Sequence, residues 1–243
     1  MFAAAGDTGS TGCDRDPVNQ SVLSAGDPAA QPDVLGVGGT SIGQRAEVVW
    51  NDSAIQRGAG GGLSGFWCMP TYQYKTAIPG LISADSATNG SCPTKVGKHI
   101  RQSPDVSADG DPRTGYVIFF TGHWGTIGGT SAAAPLWASV AALIDASPFC
   151  KDYGAGQPGV LSKPLYAITS NDHFYIYETG RGAVPEVFYD VRLGNNDYTP
   201  SGYTGGLFPA RRGYDMASGL GTPLVTGIGA HGKLSNFFPG LAG

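Results

Sequence analysis

Gly128-Gly129-Thr130-Ser131-Ala132-Ala133-Ala134-Pro135 runs directly into Leu136-Trp137-Ala138-Ser139-Val140-Ala141-Ala142-Leu143-Ile144, and this stretch decides the fold. Leu136, Val140, Leu143 and Ile144 fall at i, i+4, i+7 and i+8, with alanine filling most of the other places. That spacing predicts a helix buried almost all round and stopped at Ser147-Pro148. Immediately upstream, Tyr116–Phe120 and the segment after Gly122-His123-Trp124-Gly125 read as a hairpin with a short polar turn. Further out, Asp33–Val37 reads as a buried strand ending in a tight turn at Gly38-Gly39. Glu47–Asn51 and Val187–Val191 read as two more strands. Strands around an interposed buried helix predict an α/β layered fold.

Composition agrees with a folded, turn-rich chain. There are 39 glycines and 17 prolines among 243 residues, and only 14% of residues are charged, against about 25% in ordinary domains. A hydrophobic content of 41% and a net charge of −4 exclude disorder. The lack of a Gly-X-Y period excludes collagen. Lysine and arginine are scattered, with no run longer than Arg211-Arg212, so no nucleic-acid partner is expected. Residues 114–144 carry no Lys, Arg, Asp or Glu, yet glycines and Pro135 interrupt every apolar run. That stretch is expected to be buried core, and no membrane partner is expected. The opening MFAAAGDTGS has no basic region and too short an apolar run for a signal peptide. Gly36–Gly39 and Gly58–Gly62 precede neither a helical period nor a phosphate-loop lysine, so they do not read as nucleotide sites. Cys13, Cys68, Cys92 and Cys150 show no zinc-ligand spacing. Disulfides or free buried thiols both suit them; the even count favours disulfides, and Cys68 with Cys92 would close an irregular loop.

Ser131 is the candidate for chemistry. A serine after a Gly-Gly-Thr turn and at the start of a buried helix is held at the lip of a rigid element. Free N–H groups of the first helical turn can stabilise negative charge beside it. The three alanines keep the surface low, so that a substrate backbone can lie close. A bare serine in that place is otherwise an ordinary N-cap.

Gly129-Thr130-Ser131-Ala132-Ala133-Ala134-Pro135 resembles the nucleophile motif of the sedolisins, the serine-carboxyl peptidases. The resemblance extends in order along nearly the whole chain. It takes in Gly6-Asp7-Thr8-Gly9-Ser10, Gly36-Val37-Gly38-Gly39-Thr40, Val49-Trp50-Asn51, Gly60–Ser64, Pro104–Ala108, Gly194-Asn195-Asn196 and Gly213-Tyr214-Asp215. It implies a subtilisin-like layered fold with a mostly parallel sheet flanked by helices, its N-terminal part missing, so that residues 1–243 are a partial catalytic domain. It further implies a secreted acid peptidase acting on peptides or proteins, with Ser131 as nucleophile and Asp7 as the oxyanion acid. A carboxyl donates to an oxyanion only while protonated, which fits an acidic working range. The family's base is a Glu-x-x-x-Asp pair on one helix. Glu186 and Asp190 have that spacing but lie on a β-rich stretch, so the pair is expected from an upstream segment or a second chain.

The resemblance also implies a calcium site. Asp190 and Asp215 would supply carboxylates, and Val191, Arg211 and Gly213 would supply carbonyls, where the family usually has glycine in place of Arg211. By themselves the two aspartates are a strand-end and a turn residue. Two other functions stay open: a catalytically inactive, calcium-stabilised peptide-binding module, and a Ser-His-Asp peptidase of the subtilisin type. The second needs a catalytic imidazole, and His99 and His123 both read as isolated surface histidines.

Overall fold

The structure, a computed structural model, describes residues 1–12, 22–43, 45–74, 78–88, 92, 98–146, 159–169, 175–176, 188–198 and 204–224. Along the chain the strands are β1 (Phe2–Ala4), β2 (Leu35–Ile42), β3 (Glu47–Val49), β4 (Asn51–Asp52), β5 (Arg57–Gly58) and β6 (Gly62–Cys68). They continue with β7 (Ile100–Ser103), β8 (Val106–Asp109), β9 (Tyr116–Phe120), β10 (His123–Ile127), β11 (Tyr175–Ile176), β12 (Phe188–Tyr189) and β13 (Thr222–Pro223). The α-helices are α1 (Thr71–Tyr74), α2 (Thr130–Asp145) and α3 (Ser162–Thr169).

β2 is the centre of the main sheet. β1 and β8 pair with it in parallel, with Ala4 opposite Val37 and Val106 opposite Val37, while β3 runs antiparallel with Val49 opposite Thr40. The sequence expectation ended this strand at Gly38-Gly39, but β2 continues through both glycines to Ile42. Their role is close approach, not a turn. A Cβ on Gly38 would lie 2.6 Å from Ser107 Oγ and 2.8 Å from Pro104 Cγ, and one on Gly39 would lie 3.1 Å from the Trp50 ring.

α2 lies across β1, β2 and β8 as the sequence period requires. Ala133, Ala134, Trp137, Val140, Ala141 and Ile144 are buried against Leu35, Val37, Val106 and Ala108. Trp137 donates its Nε1–H to the Ser107 carbonyl at 2.9 Å and meets the Phe188 ring, so the polar end of this core indole is satisfied. The other face of the sheet carries small side chains: Ala3 and Ala5 cluster with Ala29 and Val34. Beside the core, the buried Arg101 meets both oxygens of Asp105 at 2.7 Å, and Asp105 also accepts from Tyr166 and from Gly36 N–H. Every charge there has a partner, which a buried ion pair requires. A disulfide joins Cys68 to Cys92, as the loop-closing option anticipated; Cys13 and Cys150 lie outside the described residues.

The uncharged run 114–144 divides. The helix is not buried almost all round as expected: one face of α2 is core, while Pro135, Ser139, Ala142 and Leu143 are exposed, because among the described residues the sheet packs on one side of it. The β9–β10 hairpin is not core at all. Val117, Phe119, Phe120, Trp124 and Ile127 are exposed. β9 and β10 pair only with each other, so no second layer of the fold covers them among the described residues.

Candidate active site

The polypeptide leaves β1 through Gly6 and reaches Asp7, which lies against the N-terminus of α2. Asp7 Oδ1 accepts hydrogen bonds from Thr130 N at 2.8 Å and from Thr130 Oγ1 at 2.9 Å. Thr130 Oγ1 accepts in turn from Gly6 N at 3.0 Å. Gly129 precedes the helix at φ 88°, and a Cβ there would lie 2.9 Å from Asp7 Oδ2. Glycine is therefore required twice at this position, for the positive φ and for the carboxyl's approach. Gly129 N also donates to the Gly110 carbonyl at 2.6 Å, binding the loop to the end of β8. The carboxyl ends of β1 and β8 and the start of α2 thus converge, the place where open α/β sheets hold ligands.

Ser131 follows Thr130 and is exposed at this convergence; among the described residues nothing hydrogen-bonds its hydroxyl. Asp7 Oδ2 likewise has no hydrogen-bond partner among them. The helix N-terminus supplies positive potential beside both groups. His99 is half-buried and its Nδ1 lies 2.9 Å from Ser86 Oγ, so it is not the isolated surface residue the sequence suggested. His123 is exposed on β10. Neither is hydrogen-bonded to Ser131 or Asp7.

Two more carboxyl groups lie toward the same end of the sheet, Glu47 at the start of β3 and Asp109 at the end of β8. Glu47 accepts from Thr40 Oγ1 at 2.6 Å and from Thr222 Oγ1 at 2.8 Å, and burial pushes it above the ordinary range. Asp109 is raised as well, by burial first and then by neighbouring Asp111, against hydrogen bonds from Thr114 and Asp111 N–H that lower it. Tyr116, at the base of the hairpin, is pushed up to about 12 by burial and by these two carboxylates.

The five residues assigned to calcium lie on two adjoining loops. Gly213 N donates to both oxygens of Asp190 at 3.2 Å, and Arg211 N donates to Asp215 Oδ2 at 2.8 Å. Asp215 Oδ1 takes Ala217 N, Ser218 N and Ser218 Oγ. Arg192 Nε meets Asp190 at 2.6 Å. Burial pushes Asp215 up to about 7 and raises Asp190 less far, Arg192 and Gly213 N–H opposing the rise. Among the described residues the carbonyls of Val191, Arg211 and Gly213 accept no hydrogen bond. The set is all oxygen, the kind calcium takes, with three unbonded carbonyls and two buried carboxylates whose oxygens already accept hydrogen bonds and would have to exchange them for the ion. No cluster of three or more His, Cys, Asp or Glu residues occurs among the described residues, so the carbonyls are indispensable to such a site.

A model of the Subtilase family matches residues 1–149, more than half of the chain. Kumamolisin of Bacillus sp. (strain MN-32) is 33% identical over 230 residues, covering 92% of this chain and 34% of kumamolisin. Sedolisin of Pseudomonas sp. (strain 101) is 27% identical over 245 residues, covering 96% and 35% respectively. The solved structure of Pseudomonas sedolisin (serine-carboxyl proteinase), complexed with two molecules of pseudo-iodotyrostatin, superposes with a TM-score of 0.65 at 25% identity. It covers 97% of this chain and 54% of the sedolisin chain. The chain belongs to the subtilase family, in its sedolisin branch. It spans about a third of the length of the curated relatives it matches.

Membership explains the order in which the sedolisin motifs appear, and the structure adds the contacts between them. Thr130 is the residue that sequence reasoning passed over. It ties Asp7, Gly6 and the helix start together across 123 positions, and only its place inside the Gly-Thr-Ser turn hinted at a role. Glu186, the first half of the Glu-x-x-x-Asp spacing, lies outside the described residues. Asp190 sits just after β12, on the loop that contacts Gly213.

Proposed function

We propose that this chain carries the nucleophile and oxyanion part of a serine-carboxyl peptidase that hydrolyses peptide bonds at acidic pH. The observation that carries the proposal is the Asp7–Thr130 clamp at the helix start beside the exposed Ser131. Ser131 Oγ attacks the scissile carbonyl carbon and gives its proton to a carboxylate base, which a Glu/Asp pair outside these residues would supply. Asp7 Oδ1 is occupied by two donors, while Oδ2 is free among the described residues. In the oxyanion role Asp7 would act through Oδ2, the oxygen that the Thr130 donors leave open toward the developing charge. Collapse of the tetrahedral intermediate breaks the C–N bond and leaves an acyl-Ser131 that water then hydrolyses. Expected substrates are peptides or proteins, and the family resemblance supports secretion.

Calcium, held by the carboxylates of Asp190 and Asp215 and the carbonyls of Val191, Arg211 and Gly213, would pin the loops after β12 and before Ala217 to one another. In the full-length protein that contains these residues, Ser131→Ala should lower acid-pH peptide cleavage by at least about 10⁴-fold. Cleavage that survives the substitution would remove Ser131 from the chemistry and favour the non-catalytic, peptide-binding alternative for this part of the molecule.

A further inference from the structure

The main chain around Asp7 is held by its neighbours: the Asp7 carbonyl accepts from Gly58 N at 3.1 Å, and the Gly6 carbonyl accepts from Gly60 N at 2.7 Å. The side chain is held by one residue. Among the described residues both hydrogen bonds to the Asp7 carboxyl come from Thr130, from N at 2.8 Å and from Oγ1 at 2.9 Å, and both end on Oδ1. Thr130 is itself fully buried and fixed by two further contacts. Its Oγ1 accepts from Gly6 N at 3.0 Å, and its methyl lies over Gly39, where an added Cβ would be 3.4 Å from Cγ2. An N–H can only donate, so Gly6 takes a lone pair of Oγ1 and the single hydroxyl hydrogen is left for Asp7. The hydrogen bonds therefore run one way, from Gly6 N–H to the Thr130 hydroxyl to Asp7 Oδ1, and each polarises the next. Helix capping accounts for only half of the arrangement. Gly129, the N-cap of α2, has no side chain to offer, and Asp7 satisfies the Thr130 N–H in its place. The bond from the hydroxyl caps nothing.

We propose that Thr130 is a positioning residue for catalysis: its hydroxyl fixes the rotation of the Asp7 carboxyl, so that Oδ2 is presented to the oxyanion. The inference rests on the peptidase reading of Ser131 and Asp7 and deepens it. A carboxyl held by one donor can swing about its Cβ–Cγ bond. A second donor that reaches the same oxygen from another direction removes that freedom. With Oδ1 locked on Thr130, Oδ2 falls over Gly129, where an added Cβ would lie 2.9 Å from it. Gly129 and Ser131 flank Thr130 in the chain, so the open oxygen is kept at the helix start beside the nucleophile. Its orientation matters because a group that stabilises developing charge is effective when it is in place before the charge appears. Threonine suits the task better than serine. Its β-branch restricts χ1, and the methyl seated over Gly39 holds the rotamer that aims the hydroxyl at both of its partners.

The test is a double-mutant cycle in the full-length protein that contains these residues, with kcat and KM measured on a peptide substrate at acidic pH and thermal melts to check folding. Thr130→Val keeps the shape of the side chain and removes the hydroxyl. It should lower kcat by about 10–10²-fold and leave KM within about twofold of the parent. Thr130→Ser returns the hydroxyl without the methyl and should bring kcat back to within about fivefold. Asp7→Ala removes the group that Thr130 orients, so adding Thr130→Val to it should cost no more than about a further twofold. A residue that only supported the fold would lower activity to the same degree with and without the Asp7 carboxyl. If Thr130→Val does not fold, Thr130→Ala, which also lacks the hydroxyl, takes its place in the cycle. Three results overturn the inference and leave the peptidase reading standing: parent kcat in Thr130→Val while Asp7→Ala is impaired, equal losses from Thr130→Val in the parent and in Asp7→Ala, or no recovery in Thr130→Ser. Parent kcat in Asp7→Ala would instead remove Asp7 from oxyanion stabilisation, and the role of Thr130 with it.

Discussion

Asp7 divides the work proposed for it between its two oxygens. Oδ1 caps α2 through Thr130 N–H, and Oδ2, without a partner among the described residues, is the oxygen proposed to face the oxyanion. The two are separable by substitution in the full-length protein. Asp7→Ala removes both, and should lower kcat/KM by about 10²–10³-fold and stability by about 1 kcal/mol, the cost of a lost helix cap. Asp7→Asn keeps an acceptor for Thr130 and offers an N–H donor that needs no protonation. It should retain activity within about tenfold of the parent and extend it toward neutral pH. A pH profile of kcat/KM checks this, and an alanine variant with unchanged kcat/KM would exclude Asp7 from oxyanion stabilisation. The identity of Asp7 as a candidate was legible from Gly6-Asp7-Thr8-Gly9, because turn motifs are local. Its partner was not, since the contact joins residues 123 positions apart and no periodicity encodes it.

At the scale of elements, α2 was legible because its apolar period and its start and stop signals all lie within one stretch. The hairpin's existence was legible too, from alternation and a glycine turn, but its exposure was not. An uncharged run reads as core in one dimension; burial depends on whether a second layer covers it, and β9–β10 extends beyond the layers that α2 and β2 provide. Gly38-Gly39 was misread for the opposite reason. Glycine marks both turns and close packing, and only the positions of Pro104, Ser107 and Trp50 distinguish them. The loops carrying Asp190 and Asp215 give the prediction at this scale. If calcium joins them, removing it with a chelator at neutral pH should lower the melting temperature by roughly 5–10 °C, for a ligand present at about a hundred times its Kd. Asp190→Asn should abolish the difference. A melt that the chelator leaves unmoved in the parent protein would exclude the site.

For the molecule as a whole, the sheet's carboxyl end concentrates acidic groups that burial disfavours as anions. Glu47 is the clearest, held between Thr40 of β2 and Thr222 of β13 with Asp109 nearby, and its folded value lies above the 4.5 of an unperturbed glutamate. Asp109 shifts the same way from 3.8. Between the unfolded and folded values the native chain holds more protons than the unfolded one, so stability falls as pH rises through that window. These two carboxyl groups therefore favour the fold on the acidic side of that window, in keeping with the working range proposed for Ser131 and Asp7. Glu47→Gln cannot ionise and keeps an oxygen to accept from one threonine. It should flatten the decline in melting temperature as pH rises above the ordinary glutamate range, with the two proteins diverging most at the alkaline end of that decline. Parallel curves across that window would show that Glu47 titrates alike in the folded and unfolded chains, and the acid preference of the fold would then have to come from other carboxyl groups.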